Sequence, residues 1–324
     1  MPNESGSCAP NPCVTVILAT HNRARSLEAT LECLADQKMR VQDWRVLAVD
    51  NASTDDTATV LARFQQDSRL DLEALHEPRP GKPRALNRAL ERVDHGLVVF
   101  IDDDVDLGPH WLQAYLDAVE RWPDHSIFGG PIIPVFPPNA PAWVQDQRYV
   151  RQSPMFAYYA PREDEGLTTG VPLGPNMAIR RTAIGEHRFD ERLGPGGTHR
   201  LMGDETEFEY RLARTGYYPY VFVPSARAEH RVRVEQLSVE AVWARAYLWG
   251  RSMALTHGRT SRGLYLLGVP LRYWYGALRA WLRYAPFAFG PQHFRLKYGW
   301  QWQVRAGRVR GYLDSRASSR ESVE

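Results

Sequence analysis

Cysteine is scarce: Cys8, Cys13 and Cys33 are the only three in 324 residues. Three cysteines with no zinc-type pairing build neither a disulfide framework nor a thiolate cage, and they make a reducing compartment the default. Long apolar runs are missing too. No uncharged apolar stretch approaches the roughly 18 residues that a membrane-spanning helix requires. The N-terminus carries Glu4 and no basic residue before Arg23, the opposite of a secretory signal. Lysine is nearly absent, with Lys38, Lys82 and Lys297 among 40 basic residues, and we read the arginine excess as composition bias without functional content. No G-x-G-x-x-G, P-loop or H-E-x-x-H sequence occurs, so dehydrogenase, P-loop and zincin readings lack their first requirement. Finally, acidic residues are absent from Ala241 to Leu313, which holds 12 basic residues and six of the ten Trp. The overall charge of +2 therefore hides a body of net −10 and a tail of +12.

What is present is a globular composition, 44% hydrophobic and 24% charged. Val14–Thr20, Trp44–Asp50, Leu70–His76, Leu97–Ile101 and a run near 126–133 read as buried strands. Helical patterns lie between them, through about Gln37, over 55–66, over 83–93 and near 109–121. This alternation predicts an α/β fold with a mostly parallel sheet and helices on both faces. Residues 134–169 read as an irregular, Pro-rich insertion. Regular structure is expected again at Asn176–Arg180, in a helix opening near Gly203-Asp204, in a strand over 217–223 and in a long helix over 236–256. The expected organisation is a flexible leader 1–13, a catalytic domain 14–235, a basic, Trp- and Arg-rich helical appendage 236–313 and a disordered tail 314–324.

In open α/β sheets ligands gather at the carboxyl ends of strands. Here those ends carry Thr20-His21-Asn22, Asp50-Asn51 and Asp102-Asp103-Asp104. Three carboxylates closing an apolar strand need positive charge, and a hard divalent cation supplies it; a solvated Asp-rich turn is the alternative. Strand alternation would put Asp102 and Asp104 on one side and Asp103 opposite. Asp50 can accept from a base or a ribose, whereas Ser53, Thr54 and Asp55 suit turn and helix capping.

The segments VTVILATHNR, LAVDNASTDDT, RPGKPRALNRAL, VVFIDDDV and GDETEFEYRL stand in the order of a family 2 glycosyltransferase with the GT-A fold, which the chain resembles over roughly residues 14–255. That resemblance implies an inverting, single-displacement transfer of a sugar from a nucleoside-diphosphate sugar donor to a glycan or lipid-linked acceptor, in cell-surface polysaccharide or glycoconjugate assembly. It implies that Thr20, Asn22 and Arg23 border the nucleotide, that Asp50 with Asn51 meets the base, and that Lys82 and Arg84 approach the diphosphate or base. Asn87 matches an Asn of the family's following helix and has a structural alternative. Asp102-Asp103-Asp104 resembles the family's DxD motif. Asp104, with Asp102 as a second metal residue, would hold Mg2+ or Mn2+, and Asp102 and Asp103 would also contact ribose, sugar or the metal's water. The resemblance also implies a metal or phosphate contact at His230, with a structural histidine as the alternative, and places Asn176 in a stretch that often lines the acceptor side. For the general base the register points to Glu205, with Asp204 as the alternative, because the family's usual Glu-Asp order is reversed here. Asp204 followed by Glu207 reads as a capping box, which leaves Glu205 without a local duty. Gly194–Gly197 reads as a mobile loop ahead of this base.

Two other functions compete: a sugar nucleotidyltransferase, whose Gly-rich basic N-terminal loop is missing, and a catalytically inactive binding module on the same fold. For the basic tail, peripheral contact with an anionic membrane, packing over the acceptor cleft and nucleic-acid binding are open, and no RNA-binding motif supports the last. The expected location is cytoplasmic, at the inner face of the plasma membrane if the tail binds lipid.

Overall fold

A computed structural model describes residues 14–40, 43–146, 154–196, 201–256 and 263–321. The leader 1–13 with Cys8 and Cys13, Gly197 of the glycine-rich loop, and the last three residues of the tail lie outside the described residues. The chain forms two compact units: residues 1–135, 157–191 and 208–231 make the first, and residues 136–156, 192–207 and 232–324 the second.

In the first unit, β1 (Val14–Thr20), β2 (Trp44–Asp50), β3 (Leu72–His76) and β4 (Leu97–Asp102) alternate with α1 (Ala24–Ala35), α2 (Thr57–Gln65) and α3 (Lys82–Leu90). They are followed by β5 (Val105–Leu107), α4 (Trp111–Arg121), β6 (Ile127–Gly129), β7 (Ile132–Val135), β8 (Gly166–Thr168), β9 (Asn176–Arg180), the short α5 (Arg181–Ile184), β10 (Tyr220–Phe222) and β11 (Ala228–Arg231). The large sheet has eight strands in the order β3-β2-β1-β4-β9-β6-β10-β8. Its first four are parallel; β9 runs antiparallel to both β4 and β6, and β8 antiparallel to β10. The expected mixed, mostly parallel sheet is present.

The strand sequences explain the two-sided burial. Val14, Val16 and Leu18 join Val46, Ala48, Val99 and Ile101 in one core under α1, α2 and α4, whereas Ile17, Leu47, Val49, Val98 and Phe100 join a second core with α3. Side chains alternate across a strand, so a near-continuous apolar run feeds both faces. On α1 the buried positions Leu27, Thr30, Leu31 and Leu34 recur at helical spacing.

One expected strand is two. The chain leaves the large sheet after Gly129 and joins a three-stranded sheet, β5-β11-β7, at Ile132. Gly130 permits the crossing, since a Cβ there would lie 1.9 Å from the Ala226 carbonyl oxygen. The segment expected as irregular contributes the edge strand β8.

The second unit is mostly helical. The helix α6 (Asp204–Arg214) starts in it and passes into the first unit at Phe208. Then come α7 (Val239–Thr256), the hairpin β12 (Tyr265–Leu266) and β13 (Val269–Pro270), α8 (Leu271–Tyr284) and α9 (Gln292–Glu321). Small residues let α7 and α9 approach closely: Cβ atoms on Gly250 or Gly307 would strike the Val304 or Tyr247 carbonyls at 1.9 and 2.0 Å. Trp249 stacks with Trp300, and Tyr284 with Trp302. Residues 314–321, expected as disordered, continue α9. Asp314 there accepts from Arg251 at 2.6 Å and Arg310 at 2.8 Å.

Candidate active site

Three adjacent parallel strands end side by side. Thr20 pairs in register with Asp50, and Ala19 with Asp102, so the polar residues at these ends form one row along the sheet edge. The turn after β1 is fastened to the turn after β2: Asn22 N–H donates to Ser53 Oγ at 3.0 Å, and Asn22 Oδ1 accepts from Thr54 N at 2.7 Å. Asn22 adopts φ 52°, a left-handed conformation that Asn tolerates. Ser53 N–H donates to Asp50 Oδ1 at 3.0 Å, while Oδ2 faces His76 Nδ1 at 3.6 Å.

The three aspartates divide differently from the expected alternation. Extended backbone stops at Asp102, and residues 103 and 104 form a turn, so the period of two does not carry through. Asp102 Oδ1 meets Lys82 Nζ at 2.5 Å. Asp103 Oδ1 and Asp104 Oδ2 both accept from one Arg23 nitrogen, at 2.7 and 2.6 Å. Both carboxylates are buried, and Arg23 is partly exposed. Burial pushes the Asp103 carboxyl up, outweighing Arg23. Burial also acts to raise Asp104, but His230 and Arg23 together hold it well below the usual carboxylate range. Burial would lower the Arg23 guanidinium, yet Asp103 and Asp104 keep it firmly protonated.

His230 belongs to this group. It lies on β11 opposite Val105, and its Nε2 is 3.4 Å from Asp104 Oδ1. Asp104 Oδ1 and His230 Nδ1 are both buried, and neither has a hydrogen-bond partner among the described residues. This pairing fits a divalent cation: one carboxylate oxygen and one imidazole at ligand spacing, in a row of four aspartates opposed by Arg23 and Lys82. Among the described residues no three His, Cys, Asp or Glu side chains are grouped to cage a metal alone. Catalytic Mg2+ sites are similarly open, taking one or two protein ligands and completing the shell from phosphates and water.

Other expected residues have different duties. The Asn51 amide donates to the Glu77 and Arg79 carbonyls at 3.1 and 2.8 Å, and its Oδ1 accepts from Gly81 N at 2.7 Å. It shapes the loop that leads into α3 and delivers Lys82. Arg84 points to Glu191, 3.4 Å away. Asn87 exchanges two hydrogen bonds with the Phe189 backbone, at 3.0 and 2.8 Å, and is structural. Asn176, expected on the acceptor side, is 0% exposed. Its Oδ1 accepts from Trp111 Nε1 and Tyr115 Oη, and its Nδ2 donates to the Pro131 and Ala226 carbonyls. With every position of the amide satisfied internally, it is a core hub and no part of the site.

The base candidates sit on the second unit. Glu207 N–H donates to Gly203 O at 2.9 Å, so Gly203 (φ +85°) is the N-cap and Asp204 the first helical residue. The expected capping box at Asp204 is thereby corrected; glycine reaches the required conformation without it. Asp204 is buried and Glu205 partly exposed, both in the first turn of α6, where the helix dipole favours ionised carboxylates.

Sequence reasoning missed Arg231. Its guanidinium pairs with Asp106 and donates to Ser26 O at 2.9 Å and Thr30 Oγ1 at 2.7 Å. Ser26 Oγ in turn donates to Asp103 O at 2.9 Å. Arg231 thus clamps α1 against the acidic turn. Only its place beside His230 hinted at this role.

The sheet order with its antiparallel β9, and the acidic row at the edge of the parallel strands, define a GT-A-type α/β fold. The chain belongs to glycosyl transferase family 2, whose profile matches residues 15–188. Glycosyltransferase AglE of Haloferax volcanii is 24% identical over 208 residues, which is 64% of this chain and 63% of AglE. Validoxylamine A glucosyltransferase of Streptomyces hygroscopicus is 29% identical over 113 residues, 35% of this chain and 27% of that protein. The chain thus spans less than two thirds of each of these relatives. Among solved structures, the mannosyltransferase PcManGT from Pyrobaculum calidifontis in complex with GDP-Man and Mn2+ superposes with a TM-score of 0.62 at 20% identity, over 94% of this chain and 88% of that one. A further relative, 34% identical over 94 residues, 29% of this chain and 36% of that protein, is a Bacillus subtilis protein whose name assigns it to teichuronic acid biosynthesis.

Proposed function

We propose that this enzyme transfers a sugar with inversion from a nucleoside-diphosphate sugar to a glycan or lipid-linked acceptor, with a divalent cation, Mg2+ or Mn2+, at the diphosphate. The observation that carries the reading is the buried Asp104–His230 pair, 3.4 Å apart and beside Arg23. PcManGT, with the same fold, is described with GDP-Man and Mn2+.

Asp50 receives the base or ribose, and the Asn22 turn borders it. Asp104 and His230 hold the cation, Asp102 and Asp103 contact the ribose, sugar or bound water, and Lys82 and Arg23 counter the phosphate charge. When bound, the cation supplies Lewis-acid stabilisation of the leaving diphosphate. Glu205, partly exposed at the positive end of α6, takes the proton of the acceptor hydroxyl as it attacks; buried Asp204 braces that turn. Residues 14–235 form the catalytic portion and 236–313 its helical appendage.

The test is a thermal-shift screen of nucleotide sugars with and without Mn2+. We expect a stabilising nucleotide sugar whose effect depends on Mn2+ and disappears in Asp104→Ala. A metal-independent shift that survives Asp104→Ala refutes the site.

A further inference from the structure

The helix α8 presents two unlike faces. Tyr273, Trp274, Ala277, Ala280 and Tyr284 point into the second unit, the first three packed on the small core of Ala254, Val269, Val309 and Tyr312. At about 100° per residue, Leu271, Tyr275, Leu278 and Leu282 form a narrow stripe on the opposite side. All four are exposed, Tyr275 the most at 66%. The exposed Arg272, Arg279 and Arg283 flank one edge of this stripe, and exposed Trp281 lies on the other. An outward apolar stripe is the reverse of what a helix packed on a water-soluble body displays.

The preceding hairpin extends the surface. Leu264, Tyr265, Leu266 and Leu267 are consecutive and exposed, between 40% and 77%. The Leu271 N–H donates to Leu264 O at 2.9 Å, and the Trp274 indole to Leu266 O at 3.1 Å. The hairpin is thereby fixed against the first turns of α8. Nine exposed large apolar side chains in one 19-residue stretch, Trp281 included, exceed what soluble monomers expose singly.

We infer that the 264–282 surface is an interfacial membrane anchor for anionic phospholipid. Charge complementarity names the occupant. Residues 241–313 contain no acidic side chain, and the arginines beside the stripe sit where long side chains reach lipid phosphates while the leucines enter the acyl boundary. Among the described residues no helix is long and apolar enough to cross a membrane, so the contact lies in the plane of the interface. Most of the tail's Trp lie outside the anchor: Trp243 and Trp300 pack against the unit's own core, Trp249 and Trp302 stack on neighbouring rings, Trp274 packs on the small core, and Trp281 alone of the six borders the stripe. This inference does not depend on the reaction assigned above.

The test is flotation of the full chain with neutral phosphatidylcholine vesicles and with vesicles containing phosphatidylglycerol, alongside the oligomeric state in solution. The wild type should float with the anionic vesicles and lose affinity in high salt. Leu278→Gln with Leu282→Gln should abolish flotation without changing the melting temperature or nucleotide-sugar binding. Arg272→Gln, Arg279→Gln and Arg283→Gln together should weaken anionic binding by roughly 150-fold, at about fivefold per basic residue near the surface. No flotation with either vesicle, or equal binding to both, overturns the inference. So does a solution dimer that the double leucine variant converts to monomers, because a second copy would then be the occupant.

Discussion

Arg23 offers a quantitative check on the acidic turn. One of its nitrogens bonds both Asp103 and Asp104, at 2.7 and 2.6 Å. Arg23→Met keeps the length and apolar stem but leaves two buried carboxylates without that counter-charge. Removing one partner of a buried pair costs roughly 3–5 kcal/mol. The Arg23 side chain is 28% exposed, so solvent offsets part of this, and about 2–3 kcal/mol is expected. At ~2–4 °C per kcal/mol for a chain of this size class, melting should fall by roughly 4–12 °C in metal-free buffer. Mn2+ at Asp104 would bring positive charge to the same acidic turn and should raise the variant's melting temperature more than the wild type's. Differential scanning fluorimetry with EDTA or Mn2+ reads both effects. If the variant melts within about 1 °C of wild type in EDTA, or gains no more from Mn2+ than wild type does, the ion-pair reasoning is wrong.

Glu205→Gln should retain Mn2+-dependent nucleotide-sugar binding by calorimetry and lose transfer by at least about 100-fold; transfer at the wild-type rate moves the base role away from Glu205. Asn176→Leu leaves the Trp111 indole and the Ala226 carbonyl short of partners in the core, while Tyr115 keeps the Asn176 backbone and Gly130 and the Pro131 carbonyl keeps Ala228. It should destabilise the fold by roughly 3 kcal/mol or more, visible in urea unfolding, whereas a lining residue of an open cleft would barely move the midpoint. Glu165 receives Arg121 at 2.6 Å and the Trp122 indole at 2.9 Å, and its carboxyl lies below the ordinary glutamate value, chiefly through the Arg121 hydrogen bond. A depressed carboxylate stabilises above its unfolded pKa and loses that contribution as pH falls through the folded value. Glu165→Gln should therefore cost up to about 1 kcal/mol at neutral pH and nothing in strong acid, measured by unfolding across pH.

The core strands were legible because burial on both faces leaves a near-continuous apolar run, and β1, β2 and β4 carry little else. Their acidic ends were equally visible, since three carboxylates in succession at the end of an apolar strand demand a counter-charge. The geometry within that run was not. Alternation applies only while the backbone stays extended, and it ends at Asp102. Asn176 misled because burial of an amide depends on Trp111, Tyr115, Pro131 and Ala226, four residues scattered along the chain. The start of α6 misled because Asp204 and Glu207 have capping chemistry, whereas the left-handed Gly203 already ends the preceding chain. In the tail, Trp was the conspicuous residue, yet aromatic stacking absorbs most of it, and the exposed surface is made of Leu and Tyr at helical spacing.

The clamp between Arg231 and Asp106 joins positions 125 residues apart. At roughly 5–20 residues per second of synthesis, the acidic turn leaves the ribosome about 6–25 seconds before the strand that carries His230 and Arg231. During that interval Asp103 and Asp104 can be neutralised by Arg23, already made, but the histidine and the brace on α1 do not yet exist. Assembly of the cation pair thus waits on the later-made strand, and it reports that β11 has taken its place between β5 and β7.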